Sequence, residues 1–532
     1  MAPCWTSCVT VFLYVVCCAF TGRNEAARIL GIFPTTSKSH WILGTALMKE
    51  LARNGHTVTV MSPFKLPDRP ENYREIEIVY GRRAFDDVMD RIFDATEASA
   101  VSSLFQMRQY VEETTNATLT SPAVQRLLQS ANETFDLLVL EIFMDDALLG
   151  FGDRFRCPIV GMSTFGASTF INDLTGTPQP LSYVPHQMLS FTSRMTFWER
   201  LANVAFHGVE AFVMRFIYLP MMQQYYDRFF PAATRTMQQM RRHGVAVVLI
   251  NDHFSMSYPR PYTPNAVEVG GFHVNRELNP LPEDIRTFIE SADRGVIYFS
   301  LGGNVKPSKM DRRKRDALVS VLAGRRERII WKWDDETLPV DTRKFLVRRW
   351  LPQDAILAHP NVRLFITHGG LLSCTEAIYH AVPIVAIPIF GDQSLNAARA
   401  ERAGWGRVVR YAELDEERFR NAVVAVLHEE SYTATVRQIS ERFRDQPLTP
   451  MQTAMFWIEY VLRRGLAVEH LITPGQELAP IQYHNLDVYA CIGAVAGTLI
   501  FLVCLTMKRC VQAVSITKSS ERASAERRKK RR

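Results

Sequence analysis

The sequence is short of cysteine in the part that would form a folded body. Of its nine cysteines, four lie in an apolar N-terminal stretch and three lie in or beside a C-terminal one, which leaves Cys157 and Cys374. A fold held together by disulfides is therefore excluded. The chain also lacks a Gly-x-Gly-x-x-Gly fingerprint, a Walker A loop and a His/Cys cluster with the spacing of metal ligands. We therefore expect neither a dinucleotide cofactor nor a bound metal.

The body also lacks an excess of basic over acidic residues. The chain has a formal net charge of +7, but residues 508–532 contain ten Lys or Arg and two Glu, a balance of +8. The remainder of the chain is close to neutral. A nucleic-acid-binding protein would spread its basic residues over a folded face, so we expect no nucleic-acid partner.

Long uncharged hydrophobic runs occur only at the two ends of the chain. The run at residues 9–20 is too short to span a bilayer and is typical of a signal peptide, which we predict over residues 1–22. Residues 488–507 carry no charge and would extend about 30 Å as a helix, the thickness of the hydrocarbon core. We therefore predict a transmembrane helix there. The basic residues that follow it predict a cytosolic tail over residues 508–532.

The tail and two sequons indicate a compartment. Lys529 and Lys530 stand fourth and third from the end and resemble the dilysine retrieval signal of endoplasmic-reticulum membrane proteins. The sequons at Asn116 and Asn132 could be glycosylated only if the body is lumenal. We expect a single-pass type I protein of the endoplasmic-reticulum membrane, with its body in the lumen and in contact with membrane lipid.

The body shows two series of alternating strands and helices. Residues 27–60 form a strand–helix–strand pattern, and a second series follows Gly270-Gly271. Such alternation predicts an α/β fold with parallel sheets. We expect two Rossmann-like doubly wound domains facing a cleft, over residues 23–270 and 271–445, followed by a helix and juxtamembrane linker over 446–487. An amphipathic segment at 194–217 is either a core-facing helix or an element that contacts membrane or a lipophilic ligand.

A short stretch between residues 350 and 393 combines features of an anion site. Residues 365–367 end a strand, and His368, Gly369 and Gly370 form a turn that lets backbone approach a ligand closely. A helix opens at Leu371, and its N-terminus offers free N–H groups and a partial positive charge. His368 and Ser373 could add donors to phosphate, while Glu376 could accept from ribose hydroxyls.

Other side chains in this stretch suit the remaining parts of a nucleotide sugar. Trp350 offers a flat face for a base, and Asp392 with Gln393 could bind sugar hydroxyls. The stretch is similar to the signature of the UDP-glycosyltransferase family, which includes glucuronosyl- and glucosyltransferases. The resemblance extends over nearly the whole chain, is closest to insect-type members, and includes the segments 38–41, 259–261, 269–271, 298–302, 445–447 and 457–460.

The resemblance implies a GT-B-like fold and a role for each matching residue. Trp350 would stack on uracil and Gln353 would bind near the base and ribose. Glu376 would bind the ribose, whereas Asp392 and Gln393 would bind the sugar. The diphosphate would lie against His368, Gly370 and Ser373. Where the family often has a hydroxyl residue, this chain has Gly303, so a backbone group or Ser300 would replace that donor; Arg260 is a weaker diphosphate ligand.

The resemblance also implies an inverting mechanism with a histidine base. His40 matches the family's base, and a carboxylate should orient it and stabilise its protonated form. The family has an aspartate at the position of Glu141; Asp145 and Asp146 lie close by in the sequence and could take this role instead. Because the helix N-terminus and His368 would stabilise departing UDP, no metal is required.

The expected activity is transfer of a hexose from a UDP-sugar to a hydroxyl of a small lipophilic acceptor, as in detoxification. Insect-type resemblance favours UDP-glucose, with UDP-glucuronate as the second candidate donor. The same motifs are also compatible with a non-catalytic protein that binds nucleotide sugars and with a related two-domain epimerase. A homo-oligomer is compatible with the sequence.

Overall fold

The computed structural model describes residues 26–80, 93, 100–274, 280–335, 338 and 340–531. The predicted signal peptide lies outside this range. Packing divides the chain into two units, a body that ends at Ile472 and a C-terminal segment that begins at Thr473.

The first half of the body is built on a seven-stranded parallel sheet. Its strand order is β3-β2-β1-β4-β5-β6-β7, and neighbouring strands run parallel. The strands are β1 (Arg28–Ile32), β2 (Thr57–Ser62), β3 (Tyr73–Glu77), β4 (Leu137–Glu141), β5 (Ile159–Ser163), β6 (Val245–Ile250) and β7 (Ala266–Glu268).

The second half is built on a six-stranded parallel sheet of order β10-β9-β8-β11-β12-β13. Its strands are β8 (Val296–Ser300), β9 (Arg328–Lys332), β10 (Phe345–Arg348), β11 (Val362–Thr367), β12 (Ile384–Ala386) and β13 (Gly406–Val408).

Helices cover the faces of both sheets. The helices of the body are α1 (Lys38–Arg53), α2 (Ala100–Thr120), α3 (Pro122–Gln129), α4 (Gly150–Phe155), α5 (Thr169–Thr175), α6 (Phe197–Val213), α7 (Leu219–Phe229), α8 (Met237–Gln239), α9 (Glu283–Glu290), α10 (Arg312–Ala323), α11 (Gln353–Leu357), α12 (Leu371–Tyr379), α13 (Gln393–Ala403), α14 (Glu416–His428), α15 (Glu430–Arg444) and α16 (Pro450–Arg464). The C-terminal segment contains α17 (Pro480–Tyr483) and α18 (Leu486–Lys529).

Burial on both faces explains why the central strands are continuous apolar runs rather than alternating patterns. β6, for example, is buried at all of its positions. In each sheet the strand order reverses between two central neighbours, β1 and β4 in one and β8 and β11 in the other. Ligands bind at the carboxyl ends of strands at such a reversal. The predicted pair of doubly wound α/β domains is therefore confirmed, and the two reversals position the site.

The last helix of the body returns to the first sheet. Ala454, Ile458 and Val461 on α16 are fully buried in the same apolar cluster as residues of β1 and β2. The imidazole of His56 also lies 2.8 Å from Glu459 on this helix. The sequence predicts residues 446–487 as a helix and linker beyond the second domain. The structure instead packs the helical part of that segment against the first half.

The amphipathic segment predicted at 194–217 is largely helical, but the face that it buries is mainly polar, whereas the core-facing interpretation requires the apolar face to be buried. Polar residues such as Asn203, His207 and Glu210 are buried on α6, together with Phe206. Its aromatic and aliphatic residues point outward instead: Phe197, Trp198, Leu201, Val204, Phe212 and Phe216 are exposed. The core-facing interpretation is therefore wrong for these side chains.

Two helical segments in the described residues are long and apolar enough to cross a membrane, 197–229 and α18. A third of the first segment is buried in the body, whereas none of α18 is buried. The predicted transmembrane run, 488–507, lies within α18. An apolar C-terminal helix is thus present. That it spans the endoplasmic-reticulum membrane, and with which orientation, stays a prediction.

Candidate functional site

A cleft of about 580 Å³ opens where the carboxyl ends of the two sheets meet, and residues of both halves line it. Most of the predicted site residues lie on its surface. They are His40, Trp350, Gln353, His368, Gly370, Ser373, Glu376, Asp392 and Gln393. The two others, Glu141 and Ser300, end the central strands β4 and β8 behind this surface and are buried.

His40 and Glu141 form a buried pair across the strand reversal of the first sheet. His40 lies in the first turn of α1, which follows β1, and Glu141 is the last residue of the neighbouring β4. The His40 Nδ1 lies 2.5 Å from Glu141 Oε1. Thr35 donates a hydrogen bond to the same carboxylate over 3.1 Å, and the Thr164 hydroxyl lies 3.1 Å from His40 Nδ1. Nδ1 is thereby occupied, which leaves Nε2 to accept a proton.

The two acidic residues that follow Glu141 in the sequence have contacts of their own. Asp146 forms an ion pair with the buried Arg241. Asp145 accepts a hydrogen bond from the backbone N–H of Phe143. Burial and the nearby charge of Glu141 raise the pKa of Asp145 well above its usual range, because both disfavour the charged form of the carboxyl. Glu141 is the one of the three that contacts His40.

Apolar side chains surround His40 in the part of the cleft that the first half forms. The rings of Phe143 and Phe165 meet the imidazole edge-on, with centroids 5.4 and 5.1 Å away. Met107 and Tyr110 on α2 line the same part of the cleft. This region suits an apolar ligand that presents one hydroxyl to the base.

His368 is held between two glycines at the strand reversal of the second sheet. A Cβ at Gly302 would lie 2.6 Å from the imidazole, and one at Gly370 would lie 2.5 Å from it. Gly302 also has φ +83°, a conformation that L side chains rarely adopt. Burial, with the charge of Lys332, lowers the pKa of His368 to about 3. The imidazole is therefore neutral at physiological pH and can donate one hydrogen bond.

The helix N-terminus predicted to bind phosphate is present beside His368. α12 begins at Leu371, directly after Gly370, and its first turn has no acidic side chain. Its free N–H groups and positive end suit an anion. Ser300 lies on the neighbouring strand, where its hydroxyl accepts a hydrogen bond from the Gly302 N–H over 3.2 Å. In this arrangement Ser300 shapes the turn that confines His368.

Gln353 contacts two other predicted ligands, Ser373 for the diphosphate and Glu376 for the ribose. Its amide nitrogen donates to Ser373 Oγ over 3.2 Å and to Glu376 Oε2 over 2.7 Å. The hydroxyl of Tyr298 donates to its amide oxygen over 3.1 Å. The second carboxylate oxygen of Glu376 lies 3.4 Å from His273 Nε2. Gln353 and Glu376 are therefore positioned relative to each other by direct contact.

Asp392 ends the loop that follows β12 and is the N-cap of α13, and Gln393 is the first residue of that helix. Asp392 Oδ2 accepts a hydrogen bond from Asn396 over 2.9 Å, and burial raises its pKa. The amide oxygen of Gln393 accepts from the backbone N–H groups of Ile389 and Phe390 over 2.9 and 3.1 Å. The Gln393 oxygen therefore stabilises its own loop, so only its Nε2 could donate to a sugar hydroxyl.

Several polar residues of the cleft carry no clear signal in the sequence. Thr35 and Thr164 hold the His40–Glu141 pair, and His273 and Lys332 line the cleft. Lys38 lines the cleft too, but its only sequence signal is that it belongs to the segment 38–41. Each belongs to a loop or element end that is distant in sequence from the residues it contacts.

The structure also brings together a cluster that the sequence spacing does not predict. Ligand atoms of His186, His207 and Glu210 lie within 4.8 Å of one another and could hold a metal ion. The backbone N–H of Met188 donates to His186 Nδ1 over 3.1 Å, so the proton of a neutral His186 lies on Nε2. That nitrogen is 3.0 Å from Glu210 Oε2. A histidine–carboxylate pair accounts for these contacts.

Comparisons with known proteins agree with this geometry. The profile of the family described as UDP-glucoronosyl and UDP-glucosyl transferase matches residues 28–521. The chain is 32% identical to UDP-glycosyltransferase UGT5 of Dactylopius coccus over 498 residues, which cover 92% of this chain and 94% of that one. It is 30% identical to UDP-glucuronosyltransferase 2A2 of Mus musculus, with coverage of 89% and 91%.

Solved structures resemble the fold of the chain. Glycosyltransferase VinC, crystallised with dTDP, superposes with a TM-score of 0.54 at 16% identity, covering 82% of this chain and 100% of that one. A glycosyltransferase of kitacinnamycin gives a TM-score of 0.54 at 14% identity, covering 82% and 99%. At these identities the similarity concerns the two-domain fold alone.

Proposed function

Because the chain belongs to the UDP-glucoronosyl and UDP-glucosyl transferase family, we propose that it transfers glucose from UDP-glucose to a hydroxyl of a small lipophilic acceptor. Membership in the family makes the chain a glycosyltransferase that uses a UDP-sugar and a small acceptor. The choice of glucose, the class of acceptor and the residues that act on them are the proposal.

The observation that carries the proposal is the contact between His40 and Glu141 at the cleft. Glu141 is fully buried, so its charge acts on the imidazole with little screening by water. His40 Nε2 accepts the proton of the acceptor hydroxyl as that oxygen attacks the anomeric carbon. Glu141 stabilises the imidazolium that forms, and the anomeric centre is inverted in a single displacement.

The donor half would stabilise UDP as it leaves. Negative charge develops on the diphosphate when the glycosidic bond breaks. The N-terminus of α12 and the neutral His368 offer hydrogen-bond donors beside it. Trp350, Gln353 and Glu376 bind the uridine, whereas Asp392 and Gln393 bind hydroxyls of the sugar. No step of this scheme requires a metal.

UDP-glucuronate is the second candidate donor, because the mammalian relatives include UDP-glucuronosyltransferases. One insect relative, UDP-glucosyltransferase 2 of Dactylopius coccus, supports UDP-glucose. We also propose that α18 anchors the body in the endoplasmic-reticulum membrane with the body lumenal and the basic tail cytosolic.

A donor screen tests the proposal. Microsomes containing the full chain are incubated with a phenolic acceptor and UDP-glucose, UDP-glucuronate or UDP-galactose, and the glycoside is measured. We expect product with UDP-glucose, none without acceptor, and loss of turnover with retained UDP binding in His40→Ala. Sugar exchange without acceptor would indicate an epimerase, and unchanged turnover in His40→Ala would exclude His40 as the base.

A further inference from the structure

We propose that Lys38 and Lys332 together bind the diphosphate of the UDP-sugar, in place of the hydroxyl side chain that is missing at Gly303. This inference rests on the proposed function of the cleft. It adds two cationic side chains to the site that binds the UDP-sugar. Lys332 belongs to the second half of the body and Lys38 to the first.

The two lysines meet although they belong to different sheets. Lys38 is the first residue of α1, and Lys332 is the last residue of β9. The Lys38 Nζ lies 5.3 Å and the Lys332 Nζ 4.6 Å from the centroid of the Trp350 ring. A single indole therefore contacts both ammonium groups, and both side chains line the cleft.

Lys332 borders the predicted phosphate position. Its Nζ donates to the carbonyl of Gly302 over 2.8 Å, and Gly302 is the residue that packs against the imidazole of His368. The charge of Lys332 also contributes to the low pKa of His368. A group that accepts a hydrogen bond from His368 would thus lie within reach of the Lys332 ammonium.

Lys38 lies beside the position where a residue-303 side chain would project. A Cβ built on Gly303 would meet one neighbouring atom, the Cβ of Lys38, at 3.7 Å. The adjacent Asn304 donates to Ser37 Oγ over 2.8 Å, which fixes this loop against the start of α1. The lysine stem therefore stands next to the missing hydroxyl.

The charges of the two lysines favour an anionic ligand. Among the described residues, neither lysine forms an ion pair with a carboxylate; their contacts are with the indole and a carbonyl. Burial and the nearby charge of Lys38 lower the pKa of Lys332 to about 8. A diphosphate between them would satisfy both cations with charge-assisted hydrogen bonds.

The arrangement also links donor binding to the base. Lys38 precedes His40 by two residues on the same helix turn. A diphosphate bound to Lys38 would hold that turn against the donor half, and with it the imidazole that accepts the proton. Lys38 is in this respect a positioning residue.

The test compares UDP with uridine as ligands of the full-length protein in detergent. The variants are Lys38→Met, Lys332→Met and the double variant, with Lys65→Met as a control at an exposed lysine. We expect UDP affinity to fall about tenfold for each single variant and more for the double. Uridine affinity should fall much less than UDP affinity, because uridine lacks the diphosphate, and retained uridine binding shows that the variants are folded.

A second variant restores the missing donor. Gly303 does not have a positive φ, and its Cβ would make an ordinary contact, so Gly303→Ser is unstrained. We expect it to recover several-fold of the UDP affinity that Lys332→Met loses.

Three outcomes would overturn the inference. UDP affinity equal to that of the unmodified protein in the double variant would remove the lysines from the site. An equal loss for uridine would assign them to the base. A loss confined to UDP-glucuronate, with UDP unaffected, would assign them to a sugar carboxylate. If the unmodified protein bound no UDP, the proposed function itself would fail.

Discussion

Replacement of Glu141 by Gln tests the catalytic pair most directly. Glu141 is fully buried and accepts hydrogen bonds from His40 Nδ1 over 2.5 Å and from Thr35 over 3.1 Å. The amide keeps the shape of the side chain but removes the charge that stabilises the imidazolium. A hydrogen bond to a charged group contributes about 1.5–3 kcal/mol. A neutral amide can also favour the wrong imidazole tautomer.

The expected loss is about 2–4 kcal/mol of transition-state stabilisation, which corresponds to a fall in kcat of roughly 30- to 1,000-fold. The assay is initial-rate formation of glycoside at saturating UDP-glucose and acceptor. UDP affinity, measured separately by titration, should not change, because the contacts of Glu141 are with His40 and Thr35 rather than with donor-binding residues.

Asp145→Asn is the matched control. Asp145 is buried like Glu141 but accepts its hydrogen bond from the backbone N–H of Phe143 rather than from His40, so we expect kcat to change by less than about threefold. Glu141→Asp keeps the charge on a shorter side chain and should fall between Gln and Glu. The reasoning is refuted if Asp145→Asn abolishes turnover while Glu141→Gln retains it.

Three further predictions concern the donor site and stability. His368→Gln keeps an N–H donor and should weaken UDP binding less than His368→Ala. Because the pKa of His368 is about 3, its titration should not change UDP affinity between pH 5 and 7. A steep pH dependence of UDP affinity that the Gln variant removes would contradict this. Burial raises the pKa of Glu268 to about 7, above its unfolded value, so the folded state binds this proton more tightly. The free energy of unfolding should therefore fall by about 2–3 kcal/mol between pH 4.5 and 7. In denaturant titrations Glu268→Gln should lack that part of the fall, and a pH profile identical to that of the unmodified protein would disprove the prediction. Ile458→Ala on α16 should lower the free energy of unfolding of the body by about 2–5 kcal/mol. The control is Phe456→Ala on the same helix, where the side chain is half-exposed and the loss should be under about 1 kcal/mol. Equal effects of the two variants would show that α16 is not part of the core.

Local signals in the sequence were sufficient for the fold class and for most of the donor site. Buried parallel strands are continuous apolar runs: β1 lies within the strand–helix–strand pattern predicted over residues 27–60, and β11 ends at Thr367, where the sequence predicts a strand end. The turn at His368 and the helix that opens at Leu371 depend on glycines and on a short stretch of chain. The edge strands β3, β7, β10 and β13 were not predicted, because they have partly exposed positions and lack the continuous apolar run of a buried strand. Strand β6 was not predicted either, although its sequence is a continuous apolar run.

By itself, then, the sequence determined the two parallel sheets, the apolar C-terminal helix and the family, because strand burial, helix length and motif spacing are local properties. The tertiary structure alone decided which carboxylate meets His40, since Glu141 and Asp145 are both buried and differ only in where β4 ends and the chain turns. It also decided which face of α6 is buried, because polar residues there find buried partners that the sequence does not reveal. The approach of Lys38 to Gly303 is likewise tertiary, because it arises only when loops of the two sheets pack across one cleft.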